Sequence, residues 1–292
     1  MENINQRNWK ERLLSRKKDK LSLLLFCLVY LMALLSFLAI IFIVAYILIM
    51  GLPHIQINLF AWTYDSENVS LMPALINTIY MIVLTLLIAV PVGIGGSIYL
   101  TEYARRDNPM VKLIRIAAQT LSGIPSIIYG LFGSLFLVKY LHLGLSLISG
   151  AITLAIMILP VIIQTTEEAL LSVPDLYREG AFALGAGKLR TIFKIVLPSA
   201  MSGIFAGVVL AIGRIIGESA ALIFTAGTVA EVAKSIFSST RTLAVHMYTI
   251  SGEGLYVNQT YATAVILLLL VLVVNFISGL IAKRLGSRTA DE

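Results

Sequence analysis

Two ionisable residues stand close together in a long apolar stretch of this sequence. Arg214 and Glu218 are four positions apart in the run LAIGRIIGES, so on a helix they would share one face and could pair. A charge near the centre of a lipid bilayer costs about 3 kcal/mol or more, and such residues normally face a polar interior. The pair therefore indicates either a polar path through a membrane or a buried ion pair that fixes helix register.

The guanidinium of Arg214 suits one class of ligand. It is always charged, and it presents a planar fork of N–H donors that matches the oxygens of an oxyanion. A site that bound the anion too tightly would not release it. We therefore predict that Glu218 pairs with Arg214 between the passage of one anion and the next, and that this pairing lowers the affinity of Arg214 for the anion.

The sequence gives little support to other chemistry. The run Gly185-Ala186-Gly187-Lys188 has part of a phosphate-binding loop, but Leu189 stands where serine or threonine is required. No histidine, cysteine and carboxylate cluster shows metal-ligand spacing, and the single cysteine excludes an intrachain disulfide. We therefore expect no catalytic site, no metal and no cofactor in this chain, which would not be an enzyme on its own.

The elements that must position the charged pair are apolar helices. The chain is 58% hydrophobic and 13% charged, whereas average soluble domains carry about 25% charged residues. Six segments are each near the roughly 20 residues that cross a bilayer. These features predict an all-α integral membrane protein with six transmembrane helices, at 21–50, 71–100, 111–140, 145–164, 201–224 and 261–281.

Glycine and proline interrupt several of these spans. Pro91 is expected to break the second span, while Gly123 and Pro125 are expected to break the third. Irregular backbone is tolerated in a membrane only where neighbouring helices or a water-filled cavity satisfy it. Gly213 and Gly217, like Gly203 and Gly207, have the spacing of close helix contacts. These residues are predicted either to line a translocation path or simply to pack helices.

The basic residues set the orientation. Of the 22 lysines and arginines, 18 lie in the N-terminal tail, in two alternate loops and in the C-terminal tail, which predicts that both termini are cytoplasmic. The net charge of +6 therefore reflects topology, and no nucleic-acid partner is expected. The predicted divisions are a basic tail at 1–20, a transmembrane domain at 21–282 and a tail at 283–292. Within the domain lie a cytoplasmic loop at about 167–198 and an outer loop at about 226–258.

One cytoplasmic segment, 179–198, is polar between two apolar spans. Its small residues would let another protein approach closely, and its proline fixes φ where the next helix would begin. The sequence predicts a short helix–turn–helix at the membrane surface, shaped to press into a partner. The residues that carry this pattern are Glu179, Gly180, Ala181, Gly185, Ile195, Leu197 and Pro198.

This spacing resembles the EAA loop of ABC-importer permeases, except that Gly180 stands in place of the first alanine. In that family the loop is the coupling helix, which sits in a groove of the ATPase subunit. The stretches AIGRIIGESAALIFTAG, SGIPSIIYGLFG and YREGAFALGA are also similar to the PstA-type permeases of bacterial phosphate importers. By position, Arg214 and Glu218 match that family's pore pair. Arg178 matches its basic residue before the loop and is a further candidate basic site.

The resemblance implies a type I ABC-importer permease in the bacterial inner membrane. Its implied partners are a PstC-type permease, two ATP-binding subunits that hold ATP and magnesium, and an external phosphate-binding protein. Two alternatives stay open. One is a permease for another oxyanion or small solute, because one Arg–Glu pair does not choose among anions. The other is an ion-coupled secondary transporter, which should show inverted repeats and several intramembrane acids.

Overall fold

Among residues 20–105 and 108–288, which the computed structural model describes, all regular structure is helical. The helices are α1 (Lys20–Gly51), α2 (Met72–Ile98), α3 (Pro109–Ser122), α4 (Ser126–Gly133), α5 (Leu147–Leu171), α6 (Asp175–Ala183), α7 (Lys188–Thr191), α8 (Leu197–Ile216), α9 (Ala220–Thr225), α10 (Leu243–Glu253) and α11 (Val257–Arg288). Wider π-type turns extend α2 over Tyr99–Tyr103 and α4 over Ser134–Tyr140, and join α7 to α8 over Ile192–Val196. The predicted tails at 1–20 and 283–292 lie largely outside the described residues.

The predicted spans correspond to these helices. Among the residues that the structure describes, five helical segments are long and apolar enough to cross a membrane: Leu21–His54, Met72–Tyr103, Leu147–Leu171, Lys188–Ile216 and Val257–Leu280. The third predicted span is instead a pair of helices, Pro109–Ser122 and Ser126–Tyr140, bent by 103°. The bend falls at Gly123 and Pro125, where the break was predicted. Counted as one span, this pair completes the six, and the predicted all-α membrane fold is confirmed.

The predicted break at Pro91 is wrong. Helix α2 runs through this residue without interruption to Ile98. Proline removes one helical hydrogen bond, but the helix is held by its neighbour α5. At Gly93, an added Cβ would lie 2.6 Å from a methyl carbon of Ile162, so the glycine provides close approach of the two helices here.

The fifth span begins earlier than predicted and ends earlier too. Helical structure is continuous from Lys188 to Ile216, so Pro198 lies in the first turn of α8 rather than at the start of a separate helix after a loop. Residues 220–224, predicted as part of this span, belong instead to the separate helix α9. The cytoplasmic segment is therefore joined to the span by unbroken helix.

Helices α2, α5 and α8 form the centre of the bundle. Large buried side chains such as Met81, Met157 and Ile215 fill it. Glycine brings α8 against α5: a Cβ at Gly207 would lie 2.0 Å from the Thr165 hydroxyl oxygen, and one at Gly203 would lie 2.7 Å from the Ala169 side chain. The predicted close contact of the first glycine pair is thus confirmed.

A second buried cluster lies where α5, α8 and the π-type turn before α8 meet, and a third lies near the start of α2. The former contains Leu170, Ile192 and Ile204, and the latter contains Leu71 and Leu243. The predicted outer loop at about 226–258 contains α10, whose buried side chains pack toward α2 and α11. By contrast, α1 contacts mainly α11 and leaves most of its apolar surface exposed.

Candidate functional site

Arg214 lies in the last turn of α8 and lines an open cleft. The cleft has a volume of about 600 Å³ and is bordered by α5, α8 and α11 through Val161, Ala206, Val209, Leu210, Gly213, Arg214 and Asn275. Within the described part of the chain, no carboxylate lies within 4.0 Å of the Arg214 guanidinium. A half-buried cation beside a mainly apolar cleft is therefore free to meet an anion from outside the chain.

The predicted pairing of Glu218 with Arg214 is wrong. Helix α8 ends at Ile216, and Gly217 is its C-terminal cap, so the two side chains do not share a helix face. Glu218 is buried, and its Oε1 accepts a hydrogen bond of 3.0 Å from the backbone N–H of Ala221. A carboxylate at the N-terminus of a helix satisfies an unpaired donor. Glu218 therefore stabilises the break between α8 and α9.

The second glycine pair differs from the first. No atom of another helix comes within 4 Å of the position where a Cβ would stand at Gly213 or Gly217. The predicted close contact is not present within this chain, and the face of α8 that carries Gly213 and Arg214 is open. Such a face leaves room for another subunit or for a passing solute.

The segment 179–198 folds as a helix, a turn and a second helix, as predicted. Helix α6 ends at Ala183, and the turn contains Gly185 at φ +81°, a left-handed conformation that favours glycine. Leu184 at the tip is 91% exposed, and Leu189 is also exposed, whereas Ala181 is buried. An exposed apolar tip of this kind is typical of a surface that docks on a partner.

Arg178 at the start of this segment is held by the chain itself. Its Nη2 donates to Glu102 Oε1 at 2.7 Å and to the Leu170 carbonyl at 2.9 Å, while Nη1 donates to the Val173 carbonyl at 2.8 Å. Its Nε also donates to Glu102, at 3.1 Å. The side chains are only 15% and 9% exposed. The ion pair ties α6 to the π-type turn that ends the second span.

A second link joins the same elements. The Lys188 ammonium lies 4.7 Å from the centre of the Tyr103 ring, a cation–π contact between the first residue of α7 and the end of the second span. Both helices of the 179–198 segment are thus attached to the residues that follow α2. Sequence reasoning missed these contacts, because they join positions more than 70 residues apart.

A polar cleft lies between α3 and α5, on the side of Glu102 and Arg178. Its volume is about 570 Å³, and an ion pair between Arg115 and Glu167 crosses it. Sequence reasoning did not single it out, although polar residues recur every three or four positions along α3. The lining residues are Arg115, Ala118, Gln119, Ser122, Ile163, Gln164, Glu167, Glu168 and Leu171.

His246 in α10 is fully buried, and neither ring nitrogen has a hydrogen-bond partner. Burial and the nearby Arg241 lower the pKa of His246 to about 3, from its usual 6.5. The folded protein therefore keeps this imidazole neutral, while the unfolded chain binds a proton as the pH falls through 6.5. The stability that His246 contributes is present above pH 6.5 and is lost as the pH falls toward 3.

We expect His246→Gln to flatten the acid side of the stability profile. Between pH 7.5 and pH 5.5 the wild-type protein should lose about 1.4 kcal/mol of stability through this group. The apparent melting temperature of the purified complex measures this difference. His142→Asn is the matched control, because His142 is exposed and its φ of 55° suits asparagine. If the wild-type protein and His246→Gln showed equal pH dependence, the neutral buried imidazole would be disproved.

These features define a class of protein. Within its described residues the chain is a polytopic helical membrane subunit with an unpaired arginine beside an open cleft, and with a helical segment, 179–198 (the lever), that is continuous with one span. This combination is typical of the membrane subunit of a transporter.

The chain belongs to the family of binding-protein-dependent transport system inner membrane components, whose model matches residues 93–289. It is a multi-pass protein of the inner membrane. It is 34% identical over 235 residues to the phosphate transport system permease protein PstA of Haemophilus influenzae, covering 79% of this chain and 82% of that protein. It is 30% identical over 257 residues to PstC of Mesorhizobium japonicum, covering 78% of each. It is also 37% identical over 194 residues to the probable ABC transporter permease protein YqgI of Bacillus subtilis, covering 62% of this chain and 66% of that protein.

The fold has a solved counterpart. A chain of a bacterial alginate ABC transporter, crystallised with a periplasmic protein bound to an alginate pentasaccharide, matches with a TM-score of 0.67 and 15% sequence identity. The match covers 93% of this chain and 98% of the other. At that identity the likeness concerns the fold alone, and it is the fold of an ABC-importer permease.

Proposed function

We propose that this chain forms one half of the pore of an ATP-driven importer of inorganic phosphate. The observation that carries the proposal is Arg214, a permanently charged fork of donors beside an open cleft, with no carboxylate of the described residues paired to it. A phosphate oxyanion supplies the matching charge and acceptor geometry. The similarity to PstA and PstC proteins supports the same substrate.

The open glycine face of α8 suggests how the other half of the pore is placed. A PstC-type permease subunit would pack near Gly213 and enclose the anion between two fifth spans. Glu218 keeps α9 turned away from α8 at the end of the path, since its carboxylate caps that short helix. This role replaces the predicted one, in which Glu218 held Arg214 directly.

The energy would come from partner subunits. The described residues and the sequence together offer no phosphate-binding loop, so two ATP-binding subunits would hold ATP and magnesium. The exposed tip at Leu184 is the surface that would enter a groove on such a subunit. An external phosphate-binding protein would deliver the substrate to the opposite side of the membrane.

Arg178 would act as a positioning residue that transmits motion of the lever to the second span. Because its donors already bind Glu102 and two carbonyls, it is not a phosphate site in this arrangement. Rotation of α6 would pull on Glu102 and on the end of α2 together. Rigid coupling of this kind is how small shifts at one site move whole helices.

Replacing Arg178 with glutamine should separate ATP hydrolysis from transport. Breaking a buried pair by removing one partner costs about 3–5 kcal/mol, because it leaves a buried charge uncompensated. We expect the variant to retain its ATPase subunits but to lose most of the phosphate moved per ATP hydrolysed. Asp175→Asn is the control, since that carboxylate is 76% exposed and its pairing with Arg178 is weak. An unchanged ratio of transport to hydrolysis in Arg178→Gln would refute the positioning role.

The proposed function is tested by reconstituting the assembled complex in proteoliposomes and measuring ATP hydrolysis. Binding protein loaded with phosphate should stimulate hydrolysis above the rate seen with unloaded binding protein. Stimulation by a different oxyanion, with phosphate inactive, would assign another substrate. Solute uptake that proceeds without ATP would identify a secondary transporter instead.

A further inference from the structure

A buried arginine near the outer end of α2 has no counter-charge within the described chain. Arg241 is 4% exposed, and its Nε and Nη2 have no hydrogen-bond partner. Its guanidinium lies 4.5 Å from the centre of the Tyr64 ring. The four ion pairs among the described residues do not include it. A buried charge is costly unless it is paired, so a cation–π contact alone leaves this one under-compensated.

Three further side chains of the same segment, residues 240–246, are also buried with unpartnered polar atoms. The buried ring of His246 lies edge-on to Tyr64, with centroids 6.0 Å apart, and neither nitrogen is bonded. Because the imidazole is neutral, one nitrogen carries a hydrogen and can donate. The hydroxyls of Thr240 and Thr242, on either side of Arg241, are also buried and without partners. Buried polar groups are normally satisfied, so a cluster of orphaned donors indicates a missing acceptor.

The backbone that carries Arg241 is fixed. Its N–H donates to the Val229 carbonyl at 3.1 Å, and its own carbonyl accepts from Asn77 at 3.4 Å. Two residues later, the Leu243 N–H donates to the Thr78 hydroxyl at 2.8 Å. The segment is thus tied to Val229 and to two residues of α2, so the unpartnered donors belong to a rigid frame rather than to a loose loop.

We propose that Arg241, His246 and the two flanking threonines bind a small oxyanion at the outer side of the permease. A guanidinium offers donors in one plane, and the hydroxyl and imidazole donors can reach further oxygens of the same ion. A protein carboxylate would satisfy only part of this set. Taking phosphate as that oxyanion rests on the proposed function. The site would then be an outer subsite, separate from Arg214.

The test is the melting temperature of the purified complex, without ATP or binding protein, at constant ionic strength and increasing inorganic phosphate. A ligand that binds only the folded state raises stability with the logarithm of its concentration above Kd. We expect the melting temperature to rise with the logarithm of the phosphate concentration above Kd, and we expect this rise to be absent in Arg241→Gln. Arg241→Lys should raise the apparent Kd for phosphate about tenfold or more, because lysine keeps the charge but lacks the planar fork of donors. Lys234→Gln removes an exposed cation from the same segment and should leave the response unchanged.

Each result has a meaning for the site. No response in the wild-type complex, or a full response in both Arg241 variants, would overturn the proposal. An equal response to chloride would overturn the oxyanion assignment and leave a simple counter-ion. If the complex with Arg241→Gln does not assemble, the phosphate dependence of the melting temperature in Arg241→Lys tests the proposal instead. Failure of the proposed function gives a different pattern, in which ATP-driven phosphate uptake is absent although this melting response is intact.

Discussion

Arg214→Gln should abolish phosphate uptake while the transporter still assembles. Glutamine keeps hydrogen-bonding capacity and approximate length but removes the permanent charge. Hydrogen bonds to a charged group contribute about 1.5–3 kcal/mol each, so loss of a bidentate contact is worth about 3 kcal/mol or more. We therefore expect uptake to fall about 100-fold or further, because 1.4 kcal/mol is a factor of ten. The measurement is initial uptake of labelled phosphate into proteoliposomes.

Two further variants make the Arg214 test specific. Lys139→Gln also removes a cation from this membrane chain, but at an exposed position away from the cleft, and it should transport normally. Arg214→Lys should recover part of the uptake, since it restores the charge without the planar fork. Normal assembly together with normal uptake in Arg214→Gln would remove this residue from the substrate path.

The second large effect is expected at the tip of the lever. Deleting residues 179–187 should leave the chain in the membrane but unable to retain ATPase subunits during purification. Leu184→Asp should have the same result with a single substitution. Burying one leucine in a groove contributes about 2 kcal/mol, and burying an unpaired carboxylate costs more than that gain. The measurement is the amount of ATPase subunit that copurifies with the tagged permease.

Leu255→Asp is the matched control for the lever. Leu255 is 80% exposed, like Leu184, but it follows α10 in the predicted outer region. This variant should retain its ATPase subunits in full. Retention in Leu184→Asp and in the deletion, or loss in Leu255→Asp, would show that the 179–198 segment is not the docking surface.

Hydropathy and basic-residue placement were enough to predict most of the fold. A membrane span must satisfy its own backbone hydrogen bonds, so an apolar run of sufficient length can only be a helix, and α1, α5 and α11 follow directly. The lever could also be predicted, because its small residues and its charges interrupt the apolar pattern. Pro91 misled the prediction, since close packing of Gly93 against Ile162 accompanies a helix that continues through a residue that usually breaks one.

The site was only partly predictable. Arg214 was found because a charge among apolar residues is rare. The end of α8 was missed, although Gly217 followed closely by Ser219 is a sequence typical of one helix ending and another beginning. The Arg178–Glu102 pair and the contact of Arg241 with Tyr64 could not be predicted. They join residues far apart in sequence, and only tertiary packing brings them together.

The central claim is that motion of a cytoplasmic lever moves an oxyanion past Arg214. Its most direct test is phosphate accumulation in proteoliposomes that contain the complete complex and binding protein, with ATP supplied on the side of Leu184. The account predicts ATP-dependent accumulation that requires both Arg214 and Leu184. Accumulation that persists without ATP, or that survives both Arg214→Gln and Leu184→Asp, would contradict it.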